Sequence, residues 1–209
     1  RDVAPSRGLG DVYKRQTEIW YVIDATDDAQ LVYGFKNKIS KEEFKKAIEE
    51  NTLLDVLNTV KVKKGDLFFI EAGTVHAIGK GVLIAEIQQN SNSTYRVYDY
   101  GRIGKDGKPR ELHIKKAVDV SVTEPPKYDI KPMGETVKAD GYDSTLLTKC
   151  DLFTVNHYDV NKKLTLETDE KSFNHILVIN GSGNINEKEL NKGDSFFVPA
   201  GYGLSLIHI

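Results

Sequence analysis

The chain contains one ten-residue phrase twice. Lys64-Gly-Asp-Leu-Phe-Phe-Ile-Glu-Ala-Gly73 and Lys192-Gly-Asp-Ser-Phe-Phe-Val-Pro-Ala-Gly201 differ at three positions and stand 128 residues apart. Each copy has the chemistry of a tight Gly-Asp turn, a strand with two aromatics, and an Ala-Gly turn. A period this long exceeds that of solenoid repeats and implies two related domains. The 209 residues are enough to bury one or two real cores.

Strand signals surround both copies. Glu18-Ile-Trp-Tyr-Val-Ile23 and Gln30 to Phe35 are β-rich and separated by the turn-forming stretch Asp24 to Asp28. Ser40-Lys-Glu-Glu43 has capping-box spacing, and Phe44, Ala47 and Ile48 then recur at helical intervals. A short second helix is expected at Leu53 to Leu57. Beyond Val60 the β pattern returns, at Leu67 to Ile70, Val82 to Gln88 and Tyr95 to Tyr100. Lys105-Asp-Gly-Lys108 reads as a hairpin tip. Arg110 to Val120 is read as a short helix burying Leu112, Ala117 and Val118.

Pro125-Pro126 and Pro132 mark a linker, because proline blocks helix and removes ladder donors. A second β unit follows, with strands at Leu152 to Val160, Leu164 to Glu167 and His175 to Asn180, and a tight turn at Asn180-Gly181. The expected fold is mainly β with a small helical insertion.

The two ends stand apart from this pattern. Asp11-Val-Tyr-Lys-Arg-Gln16 can be encoded by a DNA string whose reverse complement translates as Leu-Ser-Leu-Ile-His-Ile, which is Leu204 to Ile209. Two unrelated peptides on opposite strands of one DNA sequence resemble a translated sequencing adapter. Ser6 to Gly10 extends the same reading, and Arg1 to Pro5 have no assigned origin. The expected division is 1–16 and 204–209 foreign, 17–121 a partial catalytic domain, 122–141 a linker, and 142–203 a partial C-terminal domain.

Composition narrows the function classes. Lys+Arg 29 against Asp+Glu 31 nearly cancels, which argues against nucleic-acid and membrane-surface partners. No apolar run approaches the ~18 residues of a membrane span, and the single cysteine, Cys150, excludes an internal disulfide. The chain reads as a soluble cytoplasmic protein, with no signal for an oligomeric state.

Both repeats follow the second motif of the cupins: glycine, five residues, Pro-x-Gly, two residues, histidine. In the first copy Glu71 takes the proline place and His76 the histidine place. In the second, Pro199 is present and Leu204, already adapter-like, stands where the histidine would fall. Cupins are jelly-roll barrels that can hold a metal at the barrel mouth, so the resemblance implies a bicupin, two such barrels.

Thr17-Glu-Ile-Trp-Tyr-Val22, Gly73-Thr-Val-His-Ala77, Glu86-Ile-Gln-Gln-Asn-Ser91 and Ser93-Thr-Tyr-Arg-Val-Tyr-Asp99 occur in this order. Together they resemble the type I, zinc-dependent mannose-6-phosphate isomerases in their short bacterial form. The resemblance implies interconversion of mannose 6-phosphate and fructose 6-phosphate through a cis-enediol(ate) stabilised by one zinc ion. Glu18 and His76 match two of the family's ligands. The other two, from a Gln-x-His segment, would lie upstream of Thr17, so the fragment itself is expected to bind zinc weakly and turn over poorly. Arg96 matches the active-site arginine, and Arg110 a basic residue binding the substrate phosphate.

Other readings of the same residues stay open. Glu18 alone reads as a solvated strand end, and His76 as a hydrogen-bonded barrel histidine. Arg96 also suits an ion pair with Asp99, and Arg110 a surface position. His113 reads as a helix-surface residue, and His157, His175 and Cys150 as structural. A sugar-binding or regulatory cupin without catalysis is the alternative function. An iron oxygenase would need a histidine-rich first motif that is not visible here.

Overall fold

The structure is a computed structural model. It describes residues 16–90, 95–98, 103, 107–108 and 111–209, with the backbone alone for 11–13 and 94. It divides into two compact units, residues 1–131 and 132–209.

The first unit runs β1 (Asp11–Tyr13), β2 (Glu18–Ala25), β3 (Gln30–Phe35), α1 (Lys41–Glu49), α2 (Leu53–Val56), β4 (Leu57–Lys61), β5 (Leu67–Ile70), β6 (His76–Ile78), β7 (Val82–Gln88), β8 (Thr94–Arg96) and α3 (Ile114–Val120). Its strands form a five-stranded sheet, β4-β3-β6-β1-β8, and a three-stranded sheet, β5-β2-β7. All pairings are antiparallel.

Strand alternation explains why β3 is apolar almost throughout. Leu31 and Tyr33 join a core with Trp20 and Val22 of β2 and Phe68 and Ile70 of β5. Val32 and Phe35 instead join a core with Phe44, Leu53 and Ala117 of the helices. β3 is therefore buried on both faces, which removes the usual polar alternation along it.

Local chemistry fixes the helices. The Ser40 hydroxyl accepts from the Glu43 N–H at 3.1 Å, and the Ser40 N–H donates to Glu43 Oε2 at 2.7 Å, a closed capping box. The backbone N–H of Ser40, followed by its hydroxyl, holds the Glu43 carboxyl below the usual carboxylate range. The cap is thus at full strength above the ordinary glutamate range and is lost as pH falls through the depressed value. Lys41 Nζ donates to the carbonyls of Val118, Asp119 and Ser121, a cation at the C-terminal end of α3.

The second unit is entirely β among its elements: β9 (Thr136–Ala139), β10 (Tyr142–Lys149), β11 (Thr154–Val160), β12 (Lys163–Thr168), β13 (Asn174–Leu177), β14 (Ser182–Ile185), β15 (Lys188–Asn191), β16 (Ser195–Val198) and β17 (Gly203–His208). They form sheets β11-β10-β9, β12-β17-β14-β15 and β13-β16. Leu164, Ile185, Leu190 and Ile207 make its buried core, with Tyr142, Tyr158, Ile176 and Phe196 packed on them.

The repeated phrase is a repeat of backbone geometry. Asp66 Oδ2 accepts from the Lys63 N–H at 2.9 Å, and Asp194 Oδ2 from the Asn191 N–H at 2.7 Å. Gly65 donates to Val22 O as Gly193 does to Val178 O, and the return bonds run from Val22 to Asp66 O and from Val178 to Asp194 O. Each aspartate closes its own turn and so sets where the next strand begins.

Several expectations need correction. The third helix starts at Ile114, and Leu112, expected in the core, is 40% exposed. The proline segment makes contacts of its own: Tyr128 packs on Phe69 at 4.7 Å and Ile130 against the inter-sheet core of the first unit. Residues 136–139 of the same segment form β9. Leu152 lies outside its strand, and β13 ends at Leu177. Lys105 and Asp106 of the hairpin tip lie outside the described residues.

Phe44, fully buried and edge-on to Phe35 at 5.1 Å, should cost about 3–5 kcal/mol when truncated to Ala, read from urea unfolding. Gly73 has φ +91, and an added Cβ would stand 2.7 Å from Val120 O. Gly73→Ala should therefore lose at least ~1–2 kcal/mol in the same measurement.

Candidate functional site

The site is built on β2 and β6. Alternation along β2 turns Glu18, Trp20 and Val22 to one face, and Trp20 and Val22 lie in the inter-sheet core. Glu18 is 0% exposed, which rules out a solvated strand end. A carboxylate this far from water is stable only beside compensating charge or donors.

His76 opens β6 directly after the Gly73 turn and is 4% exposed. Its Nδ1 lies 2.8 Å from Thr74 O. A carbonyl only accepts, so Nδ1 carries the proton and Nε2 is left for another partner. Nε2 sits 3.2 Å from Glu18 Oε1. Two electron-rich atoms hold that spacing when a positive charge lies between them, either a proton on Nε2 or a bound cation. Trp20 meets the imidazole edge-on at 5.1 Å and keeps that side dry.

Gln16, 1% exposed, completes the cluster. Its Nε2 donates to Glu18 Oε2 at 3.3 Å and to Gln88 Oε1. Among the described residues its Oε1 has no hydrogen-bond partner. The imidazole nitrogen of His76 and the carboxylate of Glu18 are a donor pair of the kind that suits zinc. No group of three or more His, Cys, Asp or Glu side chains able to hold a metal occurs among the described residues.

Pairing register brings Arg96 to the same face. Asp11 of β1 is the backbone partner of both His76 and Arg96. Directly paired residues share a face, so His76 and Arg96 lie level, two strands and roughly 10 Å apart. Arg96 is half-buried; its Nη1 donates to Glu111 O at 3.4 Å and its backbone N–H to His113 Nδ1 at 3.3 Å. His113 also donates its N–H to Arg96 O at 2.8 Å, so it braces the arginine's strand from the position before α3. Asp99 and Arg110 lie outside the described residues.

Tyr33 pairs with His76 across β3 and β6. Its hydroxyl donates to Phe69 O at 2.6 Å, and burial, then the charge of Glu71, pushes its pKa up. It remains a neutral donor near pH 7 and is no base. Glu86, half-buried, faces the same space as the cross-strand partner of Trp20.

Sequence reasoning missed Gln16 and Glu86. The first falls in the segment that the sequence reads as a foreign leader, at i, i+2 spacing from Glu18. The second emerges only from the β2–β7 register. Within the second unit, His157 lies 3.7 Å from Asp159, His175 Nε2 2.6 Å from Ser195 Oγ, and Cys150 donates weakly to Phe153 O at 3.6 Å.

The model of the mannose-6-phosphate isomerase cupin domain matches residues 143–207. Mannose-6-phosphate isomerase ManA of Bacillus subtilis (strain 168) is 40% identical over 192 residues, 90% of this chain and 60% of that protein. The chain thus spans about 60% of the length of that curated relative. The crystal structure of the mannose 6-phosphate isomerase from Bacillus subtilis aligns with TM-score 0.85 and 33% identity, over 96% of this chain and 68% of that one. A mutant phosphomannose isomerase from Salmonella typhimurium shares the fold, with TM-score 0.67 and 14% identity over 98% of this chain and 75% of that one. Likeness at this identity, sustained over two thirds of a solved member, places the chain in the family of type I mannose-6-phosphate isomerases.

Proposed function

We propose that this chain carries the metal-holding part of an aldose–ketose isomerase that interconverts mannose 6-phosphate and fructose 6-phosphate through a cis-enediol(ate). The architecture we propose is a bicupin, with the two units as related jelly-roll barrels. The observation that carries the reading is the buried Glu18–His76 pair at 3.2 Å, on the strands where the sequence resemblance puts two zinc ligands. The names of the relatives given above supply the substrate.

Glu18 and His76 would hold the zinc. When bound, zinc polarises the sugar's carbonyl and hydroxyl oxygens and stabilises the charge that develops between C1 and C2. The protein does the rest. The Thr74 carbonyl fixes the His76 ring, so no reorientation accompanies binding. Trp20 and the apolar inter-sheet core exclude water from the inner side, which strengthens every charge interaction there. Arg96, always charged and level with His76, would grip an oxyanion of the substrate in a fork. Arg110 would hold the phosphate.

A sugar-binding cupin without turnover is the competing reading, and one assay separates them. Coupled isomerase activity on mannose 6-phosphate is measured with and without zinc, on the chain extended upstream by a segment carrying Gln-x-His. Zinc-dependent turnover, lost on His76→Ala, is the expected result; a folded, zinc-loaded, inactive protein would sink the isomerase assignment. In the same extended chain Arg96→Ala should lower kcat/KM by roughly 10²–10³ while zinc content stays the same. Unchanged kcat/KM would remove Arg96 from the chemistry.

A further inference from the structure

We propose that His113 is a positioning residue that acts through Arg96: its imidazole, bare at Nδ1, accepts from the arginine's backbone and fixes where the guanidinium points. The inference rests on the role given to Arg96 above. It adds a residue that sequence alone places on a helix surface.

One short segment meets Arg96 at three points. The Arg96 N–H donates to His113 Nδ1 at 3.3 Å, and Arg96 O accepts from the His113 N–H at 2.8 Å. Arg96 Nη1 donates to Glu111 O at 3.4 Å. β8 is the last strand of its sheet, where backbone donors and acceptors commonly lack a ladder partner. At Arg96 a single residue does the work of a neighbouring strand and satisfies both backbone groups.

Only one of these bonds depends on the side chain at position 113. Any residue there would offer a backbone N–H, whereas the acceptor for the Arg96 N–H is a ring nitrogen. His113 stands at the N-cap of α3, but its side chain makes no capping bond. Its carbonyl starts the helix instead, accepting from the Ala117 N–H at 2.9 Å. The ring is therefore committed to Arg96. A backbone N–H only donates, so Nδ1 is bare and the ring proton sits on Nε2, the opposite tautomer to that of His76. Tyr95 lies against the ring, centroids 6.1 Å apart, and the buried Ala117 and Val118 anchor the helix behind it. A tilt of β8 at Arg96 would carry the guanidinium with it, and a misplacement of about 1 Å costs on the order of 10²-fold in rate.

The test joins spectroscopy on the 209-residue chain to kinetics on the zinc-loaded, upstream-extended chain. In nitrogen-15 NMR, His113 Nδ1 should show the shift of an unprotonated ring nitrogen and a coupling to the Arg96 amide across the hydrogen bond. His113→Leu should lower kcat/KM on mannose 6-phosphate roughly 10–100-fold, with zinc content and circular dichroism unchanged. His113→Asn, whose amide reaches the place of Nδ1, should recover most of that loss, and His113→Gln, whose amide falls nearer the place of Nε2, should not. In an Arg96→Ala background His113→Leu should cost nothing further, because groups that act as a unit are not additive. A full loss in that background would make the residue purely structural and overturn the proposal, as would a protonated Nδ1 or unchanged kcat/KM in His113→Leu. No turnover by the extended wild type would overturn the isomerase reading and this inference with it, whereas wild-type turnover insensitive to position 113 would overturn the inference alone. If His113→Leu does not fold, the other two variants decide: recovery by Asn and not by Gln supports the proposal, and equal activity refutes it.

Discussion

A carboxylate and an imidazole held 3.2 Å apart, both nearly inaccessible to water, form the contact around which the first unit is organised. Such a pair is unstable in an apolar interior unless a charge joins it and the surroundings are rigid. The surroundings meet that demand. Glu18 is held on both sides by ladder partners, Ile70 and Gln88. The His76 ring is fixed by a carbonyl two residues back, and its strand lies between β3 and β1. Burying β3, the neighbour of the His76 strand, on both faces supplies stiffness, since neither side of it is free to relax into solvent.

Much of this was legible in the amino-acid order, for identifiable reasons. The capping box at Ser40 and Glu43 is local, involves neighbours three residues apart, and forms as its spacing implies. The repeated phrase encodes its own turn, because Asp66 and Asp194 bond within three residues of themselves. What spacing does not encode is register. Glu86 reaches the inter-sheet space only through pairing with Trp20, across more than sixty residues of chain. Leu112 misled because its helix begins four residues later than the pattern implied, at Ile114 rather than Arg110. Gln16 falls in the leader that the DNA-level reading sets apart, and its side chain is among the most buried polar groups of the described residues.

The two copies of the phrase share one scaffold. Both open with the same hydrogen-bonded turn and both return through a glycine of positive φ, Gly73 and Gly201. Three residues past that glycine the first copy places a buried His76, and the second reaches Leu204, already within the adapter-like end. The turn sets the direction in which that position leaves the scaffold.

The helical excursion bears on this as well. The C-terminal end of α3 backs directly on the turn that carries His76: Val122 donates its N–H to Gly73 O at 2.9 Å, and Val120 O occupies the space a Gly73 side chain would need. Lys41, from α1, ties down the same end of α3 through three carbonyls. The helices thus act as the anvil for the turn that carries His76. Drift in their sequence would register first as a change in the pitch of the His76 ring, before it registered as unfolding.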